Sequence, residues 1–291
     1  MVGDNSNNHR SQHRPAAPAT ARRRSPWPLA LVAALFIILP FLSWYGTSFY
    51  RPLNDDEIEK YLADEQKPRH VQHALEQIDQ RIVKGEAGAR KWYPRIIALA
   101  ANPLIDIRLA AAWVMGDDNK AEEFRAALLP LLDDPDPAVR RMAALSLSRF
   151  NDGNARRELI SMLRPYNVKL EKGGTLETVL PVGSPVSRGA LVARVRDERG
   201  ATHEVRAPVA GKIETVSVTE GAKVAAGDAL LLLAPDGKNV WEALRALHLV
   251  GEREDLPAIE RYAQGVAGMS EEIKKQATLT ASAIRTRTRD R

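Results

Sequence analysis

Any chemistry in this 291-residue chain must come from histidines, carboxylates, lysines and hydroxyls, because cysteine is absent. That removes disulfides, Cys-ligated zinc, iron–sulfur clusters, c-type haem attachment and a thiolate nucleophile. The histidines are His9, His13, His70, His73, His203 and His248. His70 and His73 stand at i and i+3, so one helix face can present both, but a metal would need a third ligand. Asp64 and Glu76 are nearby, neither in a distinguishing context, and the pair reads as a solvated helix face. There is no phosphate-binding glycine loop, no Gly-x-Ser-x-Gly and no His-Glu-x-x-His. Asp117-Asp118 reads as a capped turn. The expectation is therefore no catalytic residue, no cofactor, no metal site and no enzyme.

The elements that would carry such residues fall into three kinds, and the first is apolar. No charged residue occurs from Ser25 to Tyr50, and residues 28–46 are almost wholly apolar, just long enough for a membrane helix of about 20 residues. Trp27 flanks one end and Trp44, Tyr45 and Tyr50 the other, where amphipathic rings prefer the interface. A cleaved signal peptide is the competing reading, but bulky aromatics surround its one candidate small-residue site, Gly46-Thr47-Ser48. Arg10, Arg14, Arg22, Arg23 and Arg24 precede the span, which predicts a cytoplasmic tail over residues 1–27 and a body outside the cytoplasm, in a bacterium the periplasm. The net charge of +5 belongs to the ends: residues 1–27 carry +4 and residues 270–291 carry +3, leaving −2 between. Nucleic-acid binding is not expected from such a distribution.

Residues 55–165 show helical periodicity, and they repeat. Asn102-Pro-Leu-Ile-Asp-Ile-Arg108-Leu-Ala-Ala-Ala aligns with Asp134-Pro-Asp-Pro-Ala-Val-Arg140-Arg-Met-Ala-Ala at an offset of 32. Apolar residues at 107, 110, 111, 114 and 115, and again at 139, 142, 143 and 147, follow helix spacing. Asp136 is placed to cap and Pro137 to open the second helix. Second helices are predicted over Lys120–Leu132 and Ala155–Leu163, with an earlier pair over Pro68–Val83 and Ala89–Ala101. The theme resumes at residues 238–286, with helices over Val240–Val250, Asp255–Tyr262 and a capping helix over Ser270–Ile284. Helix pairs of this period cannot bury their apolar faces alone and must stack. The Asp-Pro-Asp-Pro-Ala-Val-Arg run before an Ala-rich helix resembles the HEAT family, PBS-lyase-like HEAT repeats. That resemblance implies that Arg108 and Arg140 pair with acidic residues of adjacent repeats.

Residues 166–237 change period. Leu176-Glu-Thr-Val179 matches Ile213-Glu-Thr-Val216, and Gly183-Ser-Pro-Val-Ser-Arg-Gly189 matches Gly221-Ala-Lys-Val-Ala-Ala-Gly227, so short strands alternate with glycine turns twice over. The run from Ala207-Pro208 to Ala229-Leu230 resembles the second half of biotinyl/lipoyl domains. The resemblance implies a flattened barrel of two interlocked halves, with a modified lysine on the hairpin between them. That position falls at about Gly200, beside Arg199, and no lysine occurs between Val195 and Pro208. Arginine stays protonated and is no nucleophile, so it cannot carry biotin or lipoate. The membrane-fusion (periplasmic adaptor) branch also lacks the lysine, but has a long helical hairpin where this chain has a tight turn.

The expected architecture is a multidomain α-solenoid of HEAT-like helix pairs, interrupted by an all-β biotinyl/lipoyl-like barrel and preceded by one transmembrane helix. The expected role is a periplasmic scaffold or adaptor on the bacterial inner membrane. Its partners would be the lipid bilayer and a membrane protein complex, exporter-like or respiratory, contacted through the concave repeat face and the hairpin tip Asp197-Glu198-Arg199. The alternative is a component of an enzyme or export system with an atypical carrier-type or lyase-type domain.

Overall fold

The computed structural model describes residues 52–64 and 66–289; the apolar stretch at 28–46 lies outside them. Within the described residues lie helices α1 (Asp55–Leu62), α2 (Pro68–Val83), α3 (Tyr93–Leu99), α4 (Ile105–Met115), α5 (Glu122–Leu128), α6 (Pro137–Arg149) and α7 (Arg156–Met162). Eight strands follow, then α8 (Gly237–Val250), α9 (Leu256–Gln264) and α10 (Glu271–Arg289). Local chemistry sets several starts. Asn54 and Glu57 cap α1 reciprocally, the Asp136 carboxylate accepts from Ala138 N–H at 2.8 Å ahead of Pro137, and Asp236 caps α8. The expected helices at 89–101 and 120–132 are instead broken. A 3-10 turn (Ala87–Trp92) leads into α3, and another (Pro130–Asp133) follows α5. Pro94 and Pro130 lack the N–H that a continuous helix would need there.

Helices α2, α4, α6, α8 and α10 pack in that order as one layer. They run parallel. Arg108 near the start of α4 reaches Asp134 just before α6, while Arg149 at the end of α6 is paired with Asp117 just past α4. The layer is tight because a methyl group on Gly116 would lie 2.5 Å from Ser146 Oγ, which itself donates to Ala112 C=O at 2.8 Å. One buried core runs through these helices, joining Leu159, Met162 and Leu163 to Val240, Leu244, Leu247 and Ile259. Polar links bridge the same gap. Tyr262 Oη donates to Leu163 C=O at 2.8 Å, and Arg156 binds Asp255 at 2.7 Å and also Glu252.

The strands are β1 (Tyr166–Lys169), β2 (Gly174–Val179), β3 (Pro185–Val186), β4 (Leu191–Arg196), β5 (Thr202–Arg206), β6 (Gly211–Val216), β7 (Lys223–Val224) and β8 (Ala229–Pro235). They form two antiparallel sheets, β1-β8-β6-β3 and β5-β4-β2-β7. The duplication seen in the sequence is visible in the pairing. Strand β3 of the first copy pairs with β6 of the second, and β7 of the second with β2 of the first, so the halves interlock. Matching register shifts fall at Leu176/Thr178 and Ile213/Thr215. The first and last strands pair, Tyr166 opposite Leu233, bringing the module's ends together. Adjacent ends let a module occupy one loop of a host without separating its flanks. Here the helical core continues past the module, whose own core (Leu176, Val195, Ile213, Leu230 and their neighbours) is separate.

Among the described residues, no helix is long and apolar enough to cross a membrane.

Candidate functional site

The hairpin between β4 and β5 closes through residues 197–201. Asp197 N–H donates to Ala201 C=O at 2.9 Å and Gly200 N–H to Asp197 C=O at 3.0 Å, with Gly200 at φ +83°, a conformation in which a Cβ is strained. The Asp197 carboxylate builds this turn. Its Oδ1 accepts from the N–H groups of Arg199 and Ala201, both at 2.9 Å, and its Oδ2 meets His203 Nε2 at 2.9 Å. The hydrogen bond to His203, then that from Ala201 N–H, holds this carboxyl below the usual range. Glu198 and Arg199 are exposed. Of the three tip residues, Asp197 therefore shapes the turn and the other two present its surface.

In the helical layer, Arg108 makes a forked contact with Asp134, 2.7 and 3.0 Å, and donates to the carbonyls of Asn102 and Pro103. Arg140 differs from the expectation that it meets the next repeat. It donates to the carbonyls of Asp134 and Pro135, and its carboxylate partner is Glu158 of its own repeat, at 3.5 Å. The step of 26 residues from Arg108 to Asp134, taken from Arg140, lands on Tyr166, where β1 begins. The β-module fills the place of the next inter-repeat loop, and Tyr166 instead lies under the Arg141 guanidinium, 5.7 Å from ring centre.

Residues 93–169 match the family model described as HEAT repeats, and residues 165–233 match that described as biotin-requiring enzyme, the biotin/lipoyl family. The chain carries HEAT repeats and a biotinyl/lipoyl domain. No curated protein matches it. Among solved structures, it is similar to a single-chain, multi-domain long-chain acyl-CoA carboxylase at 23% identity, covering 44% of this chain and 14% of that one, with a TM-score of 0.24. The chain thus spans a small part of that carboxylase's length.

A biotinyl or lipoyl group needs an amine to acylate. The turn that would offer it holds Asp197, Glu198, Arg199 and Gly200, so the residues present do not fit the group. Lys212 and Lys223 lie on β6 and β7, away from this turn. The biotinyl/lipoyl domain's edge strands β1 and β5 instead wall a cleft of about 740 Å3 against the loops that open α4 and α6, where Ile105, Pro135 and Asp136 face Tyr166, Lys169 and His203. Arg188 bridges the two parts to Asp106 at 2.5 Å.

His70 and His73 lie on α2, and Asp64, one of the possible third ligands, is bonded to His70 Nδ1 at 2.8 Å while Tyr61 stacks on the same ring at 4.2 Å. Among the described residues, no group of three or more His, Asp or Glu side chains is arranged to hold a metal. A titratable contact with no signal in the sequence lies elsewhere on α2. Burial, then a hydrogen bond with Asp117, pushes the Asp79 carboxyl up to about 7 against the opposing pull of Trp113 and Arg149. Asp79 Oδ1 is buried without a hydrogen-bond partner.

A raised folded value means the folded state keeps a proton that the unfolded chain releases, so stability falls as pH rises from about 4 to about 7. Asp79→Asn removes that loss. The variant is expected to be more stable than the parent by about 2 kcal/mol at pH 8, roughly half the full linkage value because the half-buried carboxylate is partly screened by water, and nearly equal to it at pH 4.5. Urea melts at both pH values check this; a variant no more stable at pH 8 than at pH 4.5, relative to the parent, refutes it.

Proposed function

We propose that the chain is a non-enzymatic scaffold, held to the bacterial inner membrane by residues 28–46 with its body in the periplasm, and that its HEAT repeats and unmodified biotinyl/lipoyl domain bind a membrane protein complex. The observation that carries this reading is the hairpin turn itself, which keeps the domain's shape and offers no amine for a carrier group. Stacked repeats present extended surfaces suited to protein partners. The uncharged stretch from Ser25 to Tyr50 and the arginines before it support the anchor and its orientation.

The test is gentle detergent extraction, co-purification and intact mass measurement. Replacing Glu198 and Arg199 together with alanine, while keeping Asp197 to hold the turn, is expected to reduce the co-purified partner several-fold. Unchanged recovery removes the tip from the contact. An added biotinyl or lipoyl mass on the purified chain returns the carrier-type reading.

A further inference from the structure

One edge of the helical layer gathers the chain's point of emergence and a row of exposed apolar side chains. Because α2, α4, α6 and α8 are parallel, their C-terminal ends share that edge. Asp79 of α2 lies beside Asp117 past the end of α4, and Leu249 of α8 lines one cavity with Gly116, Asp117, Arg149 and Asn151. Exposed along it are Val83 (68%), Trp113 (48%) and Leu249 (44%), with the Arg149 guanidinium 5.8 Å from the Trp113 ring centre. The acidic groups of the central turns are tied inward, Asp117 to Arg149, Asp118 to Tyr93 Oη at 2.6 Å and Asp152 to Arg125 at 2.5 Å, while Lys84 and Lys120 stand exposed. Leu53 lies at the same edge, since its carbonyl accepts from Arg81 in the last turn of α2 at 2.6 Å, and Asp55 binds the same arginine. The β-module lies against the opposite edge, at the first turns of α4 and α6.

We propose that this edge, with Val83, Trp113 and Leu249 at its centre, rests on the headgroup layer of a phospholipid bilayer. The inference rests on the anchor reading. Six residues stand between Gly46 and Leu53, and the seven steps reach at most ~25 Å even fully extended. A body emerging so close to lipid must turn one surface toward it, and Leu53 selects this edge. A tryptophan beside an arginine, flanked by apolar and lysine side chains, suits an interface that is apolar on one side and wet on the other. The same orientation directs the biotinyl/lipoyl domain away from the lipid, toward the extramembrane part of a partner.

The absence of cysteine makes the test direct. Full-length chains carrying Val83→Cys, Leu249→Cys or, as control, the exposed β-module position Val182→Cys are labelled with a fluorophore and reconstituted into phosphatidylethanolamine–phosphatidylglycerol vesicles containing a headgroup-nitroxide lipid. The α4 helix alone separates the two edges by ~16 Å, so labels at 83 and 249 are expected to be quenched roughly threefold more than that at 182. Equal quenching at all three sites, with the protein still retained after alkaline carbonate, overturns the edge assignment and leaves the anchor standing. Labels at 83 and 249 shielded from an aqueous quencher but untouched by the lipid one overturn it in favour of a protein occupant. Loss of the protein to the carbonate wash overturns the anchor and the edge together.

Discussion

Arg108→Ala is expected to destabilise the fold by about 3–5 kcal/mol, because it strips the partner from a carboxylate that has little water to fall back on. The Arg108 side chain is 12% exposed and Asp134 5%, and the guanidinium holds both carboxylate oxygens while bonding the carbonyls of Asn102 and Pro103. Four contacts vanish at once, and on the Asp134 carboxylate the Asp136 N–H at 2.8 Å is the hydrogen bond that remains. The exposed pair Arg157–Asp133 is the control: Arg157→Ala should cost less than about 0.5 kcal/mol. The pH dependence separates the pairing from mere loss of packing. Burial alone raises the Asp134 carboxyl, but Arg108 and the Asp136 N–H outweigh it and leave the group below its ordinary value. Stability from a lowered carboxyl is present above the unfolded value and is lost as pH falls through the folded one. The gap between parent and variant in urea melts should therefore shrink below about pH 4; a gap of the same size at pH 3 and pH 7 assigns the loss to packing alone.

This pair was legible in the sequence only through the repeat. The offset of 32 aligns Arg108 with Arg140, and the resemblance gave both the same role, yet only Arg108 reaches the acid of a neighbouring repeat. What sets Arg140 apart is the β-module beginning at Tyr166, a consequence of insertion that a pattern of apolar spacings does not carry. Glycine was the better informant. Gly183, Gly189, Gly221 and Gly227 all adopt positive φ, as duplicated tight turns require, whereas the helix expected over Lys120–Leu132 followed the apolar pattern through Pro130, where the structure breaks it. The inward role of Asp197 had a local signal too, an aspartate opening a turn with glycine three positions on, where its carboxylate bonds the following N–H groups. Asp79 had none. Its partner Asp117 is distant in sequence, neither stands at a telling spacing, and their meeting depends on how tightly α2 and α4 pack.

Leu244→Ala bears on whether the helices on the two sides of the β-module form one body. Leu244 is fully buried in α8, after the module, within a core that also holds Leu159, Met162 and Leu163 before it, and the neighbouring backbone is fixed by Thr280 Oγ1 donating to Leu244 C=O at 2.9 Å. Truncating it is expected to cost about 3 kcal/mol, from lost transfer free energy and the cavity left behind, and to lower the thermal midpoint by about 6–12 °C for a body of this size. The informative quantity is where that loss is felt. Stacked repeats couple through their interfaces, and here α8 packs on both α6 and α7 while Arg156 and Tyr262 reach across the insertion. Hydrogen exchange should consequently report faster global opening in α6 and α7 as well as in α8 and α9. If protection in α6 and α7 is unchanged while α8 and α9 lose theirs, the β-module divides the array into independent units, because a shared core cannot be weakened on one side only.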